Sequence, residues 1–570
     1  MKTWSPRSTL APLRARTCLK AWTGLRVKYA AAFFSLLAAA LAAPVAHAAA
    51  VTTEQGVVQG TTVGHVEMFF GVPFATPPVG DLRWRQPRPP QPYAGGVLQA
   101  TSFTPPCYQG GAATATLPAP SEDCLYLNIW RPVGASAGAG LPVLVYIYGG
   151  GFAGGNGSAF DGTPLVTTSN MLFVTINYRV GAFGWLALPG LDEETRDGAS
   201  SGNYGFLDMV QALRWINQNI EAFGGNPSNV SIAGTSAGGI AVCMFLAAPL
   251  KEELFQKAII ESGECTPSSV FIVSHQQELA TGANFAANVG CTDPSSFASC
   301  LRAAPASKLL SAASAAGRFT ANVGGALVPV HPFRAMASGR IAEVPVIVGA
   351  NHDEQKGGGL ATTGFPGSVT GYETYLDTTF GLLAPLVMAK YPAADYSDPA
   401  YAAGAAVTDS GAPSGIGVCP MLFAQADALA GNTPTYAYEL DDPNGGRLGA
   451  FPAGFEVGSE HAAEVKFLYN GYIGVLQPPG VRPDEQSMAG SMLRYWASFA
   501  ASGQPSDGTL AWPRYASGSE KVLRFQPSGN IALARSVVYD DHNCGFWEDL
   551  GFMGRLHDAG DSGRPFTRDR

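Results

Sequence analysis

The sequence predicts an α/β fold with a large, mainly parallel central sheet that is covered by helices on both faces. Two observations predict it: short apolar runs of strand length recur along the chain, and amphipathic helical patterns lie between them. This alternation is typical of parallel sheets, whose strands are buried on both faces. The runs that we interpret as strands are residues 143–147, 173–176, 230–233, 344–348 and 435–440.

The clearest helical pattern spans residues 207–223. Its apolar residues stand three or four positions apart, which is the spacing of one helix face. They are Leu207, Val210, Leu213, Ile216, Ile220 and Phe223. The Gly- and Ala-rich stretches 110–119 and 400–417 are expected, from their composition, to be surface loops.

The 570-residue chain is predicted to comprise three parts. Residues 1–48 resemble a secretory signal, because seven basic residues and no acidic one accompany the apolar run 29–43, and Ala46-His47-Ala48 follows as a cleavage pattern. The apolar run is too short and too rich in Ala for a permanent membrane anchor. Residues 49–552 are predicted to form a single domain and residues 553–570 a polar, mobile tail. We therefore expect the mature protein to be secreted or periplasmic.

Charge and cysteine content narrow the possible partners. The chain has 35 basic and 44 acidic residues, and losing the seven basic residues of the leader leaves 28 against 44, a net charge near −16. Such a surface repels phosphate backbones, so no nucleic-acid partner is expected. Export favours disulfides among the eight remaining cysteines. None has the Cys-x-x-Cys spacing of a zinc site, and we expect neither a metal nor a cofactor.

Residues 234–238 read Gly-Thr-Ser-Ala-Gly and follow a predicted strand directly. A serine at such a strand–turn–helix corner projects from the backbone beside the positive end of a helix, where its hydroxyl can attack a carbonyl. Small residues are needed on both sides because the turn is tight. Ser236 is therefore the predicted nucleophile.

A serine hydroxyl needs a base to accept its proton, and the base needs an acidic group that fixes its tautomer. In strand–turn–helix serine enzymes the acid and then the base follow the nucleophile along the chain. Of the eight histidines, only His461 meets this order, since the others lie in the leader, before the serine, too soon after it, in the tail or, for His542, in an acidic stretch. Asp353 and Glu354 both follow the strand 344–348, and either could be the acid.

The negative charge that develops on the attacked carbonyl needs backbone N–H donors. Residues 148–152 read Tyr-Gly-Gly-Gly-Phe and follow the strand 143–147, so a glycine-rich backbone can approach a substrate closely. The Gly-Lys-Ser/Thr ending of a phosphate-binding loop is missing, which disfavours that alternative. The N–H of Ala237, next to the serine, would be a further donor.

Ordered motifs stand at residues 70–75, 77–80, 121–129, 148–152, 223–227, 349–354 and 495–500. Together these segments resemble the type-B carboxylesterase and cholinesterase family of α/β-hydrolases over nearly the whole predicted mature chain. The resemblance implies an α/β-hydrolase fold, Glu354 as the acid, His461 as the base, and oxyanion donors at Gly150, Gly151 and Ala237. It also implies disulfides Cys107–Cys124, Cys291–Cys300 and Cys419–Cys544, whereas Cys243 and Cys265 have no counterpart and are expected to be buried free thiols.

The resemblance implies a secreted serine carboxylesterase that hydrolyses a small-molecule ester through an acyl-enzyme. Two alternatives remain: a non-catalytic binding or adhesion protein on the same fold, and a hydrolase specialised for a bulky ester or an amide. Thr235 replaces the Glu that usually precedes the nucleophile, and the loop between Cys107 and Cys124 contains no Trp that could bind a quaternary ammonium. Hydrolysis of choline esters is therefore not expected. Gln355 replaces the usual Gly after the acid, which we interpret as local loop variation.

Overall fold

A computed structural model describes residues 49–111, 117–194, 201–250, 253–358, 367–445, 452–471, 480–516 and 520–553. The described residues belong to one compact unit. The predicted leader, residues 1–48, and the tail beyond residue 553 lie outside the described residues, so both stay predictions. Among the described helices, none has the length and apolar character needed to cross a membrane.

The strands are numbered in chain order. They are β1 (Ala50–Thr53), β2 (Gly56–Gln59), β3 (Thr61–Val63), β4 (Val66–Pro73), β5 (Val97–Gln99), β6 (Tyr126–Pro132), β7 (Leu141–Ile147), β8 (Leu172–Ile176), β9 (Gly225–Thr235), β10 (Lys257–Glu261), β11 (Ile272–Ser274), β12 (Ala321–Val323), β13 (Val346–Asn351), β14 (Thr435–Leu440), β15 (Lys521–Phe525) and β16 (Ile531–Ala534).

The α-helices are likewise numbered along the described chain. They are α1 (Thr163–Ser169), α2 (Gly181–Trp185), α3 (Pro189–Asp192), α4 (Tyr204–Asn219), α5 (Ala237–Ala247), α6 (His275–Val289), α7 (Phe297–Ala303), α8 (Ala306–Ala313), α9 (Pro332–Ala337), α10 (Val369–Phe380), α11 (Ala384–Lys390), α12 (Pro399–Ser410), α13 (Ala426–Ala430), α14 (Val465–Tyr469), α15 (Gln486–Ser502), α16 (Arg535–Asp541) and α17 (Cys544–Asp549).

Within the described ranges, eleven strands form one sheet in the order β16-β15-β14-β13-β10-β9-β7-β8-β6-β4-β3. The neighbours from β15 to β8 pair in parallel, and the strands at both edges pair antiparallel. Helices flank this sheet. The predicted fold class, a large and mainly parallel sheet of the α/β-hydrolase type, is confirmed.

The central strands are buried along their whole length. Every residue of β8, β10, β13 and β14 is buried, as expected for strands covered on both faces. Burying one Val or Ile side chain contributes about 1.5–3 kcal/mol, which accounts for the continuous apolar runs in the sequence. All five predicted strands are present, and the helical pattern 207–223 forms α4 and the short 3-10 helix Ile220–Phe223 that continues it.

The prediction of a surface loop over residues 400–417 is wrong, because most of this stretch is the buried helix α12. The Asp398 side chain accepts a hydrogen bond from the N–H of Ala400 at 2.8 Å and so begins the helix, which has Pro399 in its first turn. Alanine is the strongest helix former, and its small side chain allows close packing. A Cβ on Gly404 would lie 2.7 Å from the carbonyl oxygen of Lys356. In the other predicted loop, residues 112–116 lie outside the described part.

The structure contains disulfides Cys107–Cys124, Cys291–Cys300 and Cys419–Cys544, the three pairs that the resemblance implies. The expectation of free thiols at Cys243 and Cys265 is wrong, since these residues form a fourth disulfide with a Cα–Cα distance of 6.5 Å. Helix α5 packs closely on the segment after β10, where a Cβ on Gly239 would lie 2.9 Å from Cα of Gly263. This contact between two elements brings the thiols together.

Candidate active site

Ser236 lies at the sharp corner between β9 and α5. Its backbone adopts φ 60° and ψ −125°, a conformation that a non-glycine residue rarely adopts and that is typical of a strained nucleophile turn. The corner tolerates no bulk nearby, because a Cβ on Gly238 would lie 2.0 Å from the carbonyl oxygen of Ile147. The strand–turn–helix predicted around Ser236 is therefore present in the structure.

Glu354 and His461 are in direct contact. The Nδ1 of His461 lies 2.7 Å from Oε2 of Glu354, whose side chain is fully buried. The other carboxylate oxygen, Oε1, accepts a hydrogen bond from the N–H of Asn351 at 2.8 Å. Because a carboxylate only accepts hydrogen bonds, Nδ1 carries the proton and Nε2 holds the lone pair when the ring is neutral.

Asp353, the other candidate acid, contacts the same loop differently. Its Oδ2 accepts a hydrogen bond from the N–H of Ser459 at 3.0 Å, and its own N–H donates to the carbonyl of Ser459 at 2.9 Å. Its Oδ1 lies 3.2 Å from Nζ of Lys356. Asp353 thus fastens the backbone of the loop that carries His461, while Glu354 contacts the imidazole itself.

The Nε2 of His461 is buried and has no hydrogen-bond partner among the described residues. Accordingly, no hydrogen bond joins it to Ser236 in this structure. Strands β9, β10 and β13 are neighbours and run parallel, so Ser236 and Glu354 follow strands that end at the same edge of the sheet. Hydrogen bonds between nucleophile and base are often long without substrate and tighten when it binds.

The three predicted oxyanion donors have N–H groups that donate no hydrogen bond within the described part of the chain. Gly150 and Gly151 adopt φ of 119° and 61°, which only glycine tolerates readily. The tight contact of Gly238 with Ile147 holds the start of α5, including Ala237, against the end of β7. Two elements therefore bring free donors to one place, as an oxyanion hole requires.

A model of the carboxylesterase family matches residues 47–370 and 400–547. The chain belongs to the carboxylesterase family. It is 35% identical over 492 residues to the fumonisin B1 esterase of Sphingopyxis macrogoltabida, with 81% of this chain and 84% of that protein covered. It is 32% identical to the acetylcholinesterase of Bungarus fasciatus, with 90% and 88% covered, and 31% identical to carboxylesterase 5A of Mus musculus, with 87% and 88% covered.

This carboxylesterase-family chain is a carboxylic-ester hydrolase, since its family and its relatives are esterases. The resemblance inferred from the sequence is confirmed, and the alternative of a non-catalytic binding protein is disfavoured. The expectation that it does not hydrolyse choline esters stays a prediction.

The sequence did not reveal a buried carboxyl group next to the Ser236 turn of this esterase. The hydroxyl of Thr235 donates to Oε2 of Glu261 at 2.7 Å. The other oxygen of Glu261 accepts hydrogen bonds from the hydroxyl of Tyr469 at 2.6 Å and from the indole N–H of Trp496 at 2.7 Å. Burial raises the pKa of Glu261. Thr235 itself has no carboxyl group, and the carboxyl group that it contacts belongs to Glu261 at the end of β10. A Glu at the end of an apolar run was the sequence signal for this buried group.

A second carboxyl group, that of Glu464, lies three residues after His461. Its Oε2 accepts a hydrogen bond from the Asn351 side chain at 2.6 Å, whereas its Oε1 is buried without a partner among the described residues. Burial first, and then the nearby carboxylates of Glu261 and Glu354, raise the pKa of Glu464 well above its usual value. Two buried carboxyl groups with a raised pKa, those of Glu261 and Glu464, thus lie near the contact between Glu354 and His461.

A cluster of possible metal ligands lies beside the acid loop of this esterase. Ligand atoms of His352, Asp541 and His542 all lie within 4.8 Å of one another. However, Nδ1 of His542 is 2.7 Å from Asp409 and Nε2 is 2.6 Å from Glu439. Burial lowers the pKa of His542, but these two carboxylates outweigh it and raise the pKa to about 9. The ring is a doubly protonated cation with no lone pair for a metal, and the cluster is an ion network.

Proposed function

We propose that this chain is a serine carboxylesterase that hydrolyses a small-molecule ester with Ser236, His461 and Glu354. The observation that carries the proposal is the 2.7 Å contact between Glu354 and Nδ1 of His461 beneath a buried, unpartnered Nε2. Glu354 follows β13 and the strained Ser236 follows β9, and these parallel strands end at the same edge of the sheet. A tautomer fixed by a carboxylate and a free basic nitrogen are what a serine nucleophile needs.

In the first half of the reaction the hydroxyl oxygen of Ser236 attacks the ester carbonyl carbon, and its proton moves to Nε2 of His461. Glu354 stabilises the imidazolium that forms. The N–H groups of Gly150, Gly151 and Ala237 bind the carbonyl oxygen as it becomes negative, and each such donor contributes about 10²–10³ in rate. The intermediate collapses when Nε2 returns the proton to the leaving alcohol, which leaves an acyl group on Ser236.

Water completes the cycle. His461 removes a proton from a water molecule, whose oxygen attacks the acyl carbonyl, and the same oxyanion donors bind the second tetrahedral intermediate. The proton then passes from Nε2 to the serine oxygen, and the carboxylic acid is released.

The compartment is part of the proposal. The four disulfides favour an oxidising environment, and the basic and then apolar leader favours export, so we place the mature protein outside the cell or in a periplasm. N-terminal sequencing of the protein recovered from cell fractions tests both points. An uncleaved, cytoplasmic chain with reduced cysteines would contradict them.

Labelling with a fluorophosphonate tests the nucleophile. We expect one adduct at Ser236 by peptide mass spectrometry, and Ser236→Ala should abolish both the adduct and the hydrolysis of short p-nitrophenyl esters. Ser502→Ala is the matched control, because Ser502 is an exposed serine at the end of α15. The carbonyl of its neighbour Ala501 accepts a hydrogen bond from Asn229 in the first half of β9, whereas Ser236 follows the end of that strand. An adduct that persists in Ser236→Ala would overturn the proposal.

A further inference from the structure

One arginine lies at the edge of the proposed oxyanion hole. Arg318, in the segment between α8 and β12, has its Nη1 3.8 Å from the position that a Cβ on Gly151 would occupy. The ring of Phe271 lies 3.3 Å from the same position, and the guanidinium stacks over that ring at 4.6 Å from its centroid. Arg318 and Phe271 therefore border Gly151, one of the three proposed oxyanion donors.

The aromatic ring that supports this arginine is fixed. Phe271 is buried, and its carbonyl accepts a hydrogen bond from the hydroxyl of Thr320 at 2.6 Å. A guanidinium on an aromatic face gains a favourable cation–π contact and loses part of its freedom of movement. The charge is thus held beside Gly151 by the fold.

Arg318 is exposed and has no carboxylate partner among the described residues. Other arginines of the described chain do form ion pairs. Examples are Arg83 with Glu122, Arg179 with Asp208 and Arg302 with Glu194. An unpaired cation is unremarkable on an open surface, but here it adjoins the reacting centre in a chain with a formal net charge of −9. Its five N–H donors remain available to a ligand.

We propose that Arg318 binds a carboxylate of the substrate, so that the substrates are esters with an anionic group close to the scissile carbonyl. This rests on the proposed function, because it uses Gly151 as an oxyanion donor. The carbonyl oxygen sits about 3 Å from its donors in the transition state. A carboxylate separated from the ester by a short spacer can then reach the guanidinium and form the two parallel hydrogen bonds that Arg favours. The carboxylate belongs either to the acyl part or to the alcohol part.

A matched pair of esters tests the acyl part. Monobenzyl succinate carries the carboxylate, benzyl succinamate carries a neutral carboxamide of nearly the same size, and released benzyl alcohol measures both by chromatography. We expect the wild type to favour the anionic ester, and Arg318→Gln to lower the ratio of kcat/KM between the two about ten- to hundredfold. Arg318→Lys should keep part of the ratio, and 0.5 M salt should lower it in the wild type.

A second pair tests the alcohol part. It consists of 4-(acetoxymethyl)benzoate and the corresponding carboxamide, and acetate release is the measurement. Arg514→Gln is the control variant, because Arg514 is also exposed and lies next to Tyr515, whose N–H donates to Thr435 at the start of β14, the opposite edge of the sheet. It should leave the ratios of both pairs unchanged.

The outcomes separate this proposal from the one it rests on. If Arg318→Gln lowers the ratio for one pair, that pair identifies the part of the substrate that carries the carboxylate. Equal losses on charged and neutral esters, or no preference for either anionic ester in a wild type that fluorophosphonate labels at Ser236, would overturn the role of Arg318 and leave the esterase intact. A wild type that is neither labelled nor active would overturn the proposed function.

Discussion

Two histidines near the carboxyl ends of β13 and β14 are bound by buried carboxylates, but they differ in their second nitrogen. His461 contacts Glu354 with Nδ1, while its Nε2 is buried without a partner among the described residues. His542 contacts Asp409 with Nδ1 and Glu439 with Nε2. One carboxylate fixes a tautomer and leaves a nitrogen free for proton transfer, whereas two carboxylates fix a cation.

The two sites are connected through the acid loop. The N–H of His352 donates to the carbonyl of Leu440 at the end of β14, and its ring centroid lies 4.7 Å from that of His542. The guanidinium of Arg524 bridges Glu439 and Asp541 at 2.6 Å each. The ion network of His542 therefore stabilises the strand ends that Asp353 and Glu354 follow. We expect His461 to act in catalysis and His542 to stabilise the fold.

The largest effect is expected where the free nitrogen is removed. His461→Gln keeps an amide that can donate to Glu354 but has no basic nitrogen for the serine proton, so kcat should fall by about four to six orders of magnitude. Steady-state hydrolysis of a p-nitrophenyl ester measures it, with circular dichroism as the check on folding. A folded variant that keeps a tenth of the activity would show that another group accepts the proton.

The next effect comes from inverting the tautomer. In Glu354→Gln, the N–H of Asn351 holds the amide oxygen in place, so the amide NH₂ faces Nδ1 of His461. Nδ1 must then accept, which puts the proton on Nε2 and blocks its role as base. We expect a loss of about 10⁴ in kcat, measured as above, with Glu354→Asp as the variant that keeps the charge. A loss below tenfold for Glu354→Gln would be inconsistent with this orientation.

His542→Gln tests the supporting histidine and is expected to affect stability. A Gln amide group can donate to Asp409 or to Glu439 but not to both, so one buried carboxylate loses its hydrogen bond to this side chain. The positive charge between the two carboxylates is also lost, which leaves, among the described residues, only Tyr391 on Asp409 and Arg524 on Glu439. The free energy of unfolding should fall by about 3–5 kcal/mol, measured by urea titration. His461→Gln is the matched control, because Glu354 there keeps the Asn351 N–H and can keep an amide donor, and its loss should be much smaller. Equal losses would mean that the two sites support the fold alike.

The titration of His542 makes the same contrast visible without mutating the active site. Its pKa is raised to about 9, above the usual histidine value of about 6.5, so the folded state binds this proton more tightly than the unfolded state. The stabilisation is complete below about pH 6.5 and is lost as the pH rises through 9, an effect of about 3 kcal/mol. The difference in unfolding free energy between wild type and His542→Gln should therefore shrink between pH 6.5 and 9.5. A constant difference would show that His542 is neutral when folded.

The sequence predicted what neighbouring residues encode. The turn around Ser236 is specified by Gly234 and Gly238, two positions before and after it. The strands are specified by continuous apolar runs. Asp353 and Glu354 could not be separated by the same means, because adjacent side chains at a strand end differ only in where they point. The family resemblance chose Glu354, and the contact with His461 agrees with that choice.

Features built from distant elements were missed for the same physical reason. Glu261 meets partners 26, 208 and 235 positions away, and Cys243 meets Cys265 only because α5 packs on the segment after β10. His542 was set aside because of its acidic neighbours, yet its partners are Asp409 and Glu439, 133 and 103 positions away. The helix α12 was different, since its Asp398 cap and its alanines were a readable signal that was obscured by Gly404 and by the glycines after the helix.

The smallest effect should come from the residue next to the acid. Asp353→Asn keeps an oxygen that can accept the Ser459 N–H and loses only the charge facing His352 and Lys356. Because Asp353 contacts the loop backbone and not the imidazole of His461, we expect kcat to fall less than tenfold, against about 10⁴ for Glu354→Gln in the same assay. A loss as large as that of Glu354→Gln would mean that the backbone of the loop, and not the carboxylate on Nδ1, determines where the imidazole of His461 lies. The loop would then also account for the difference between the two histidines.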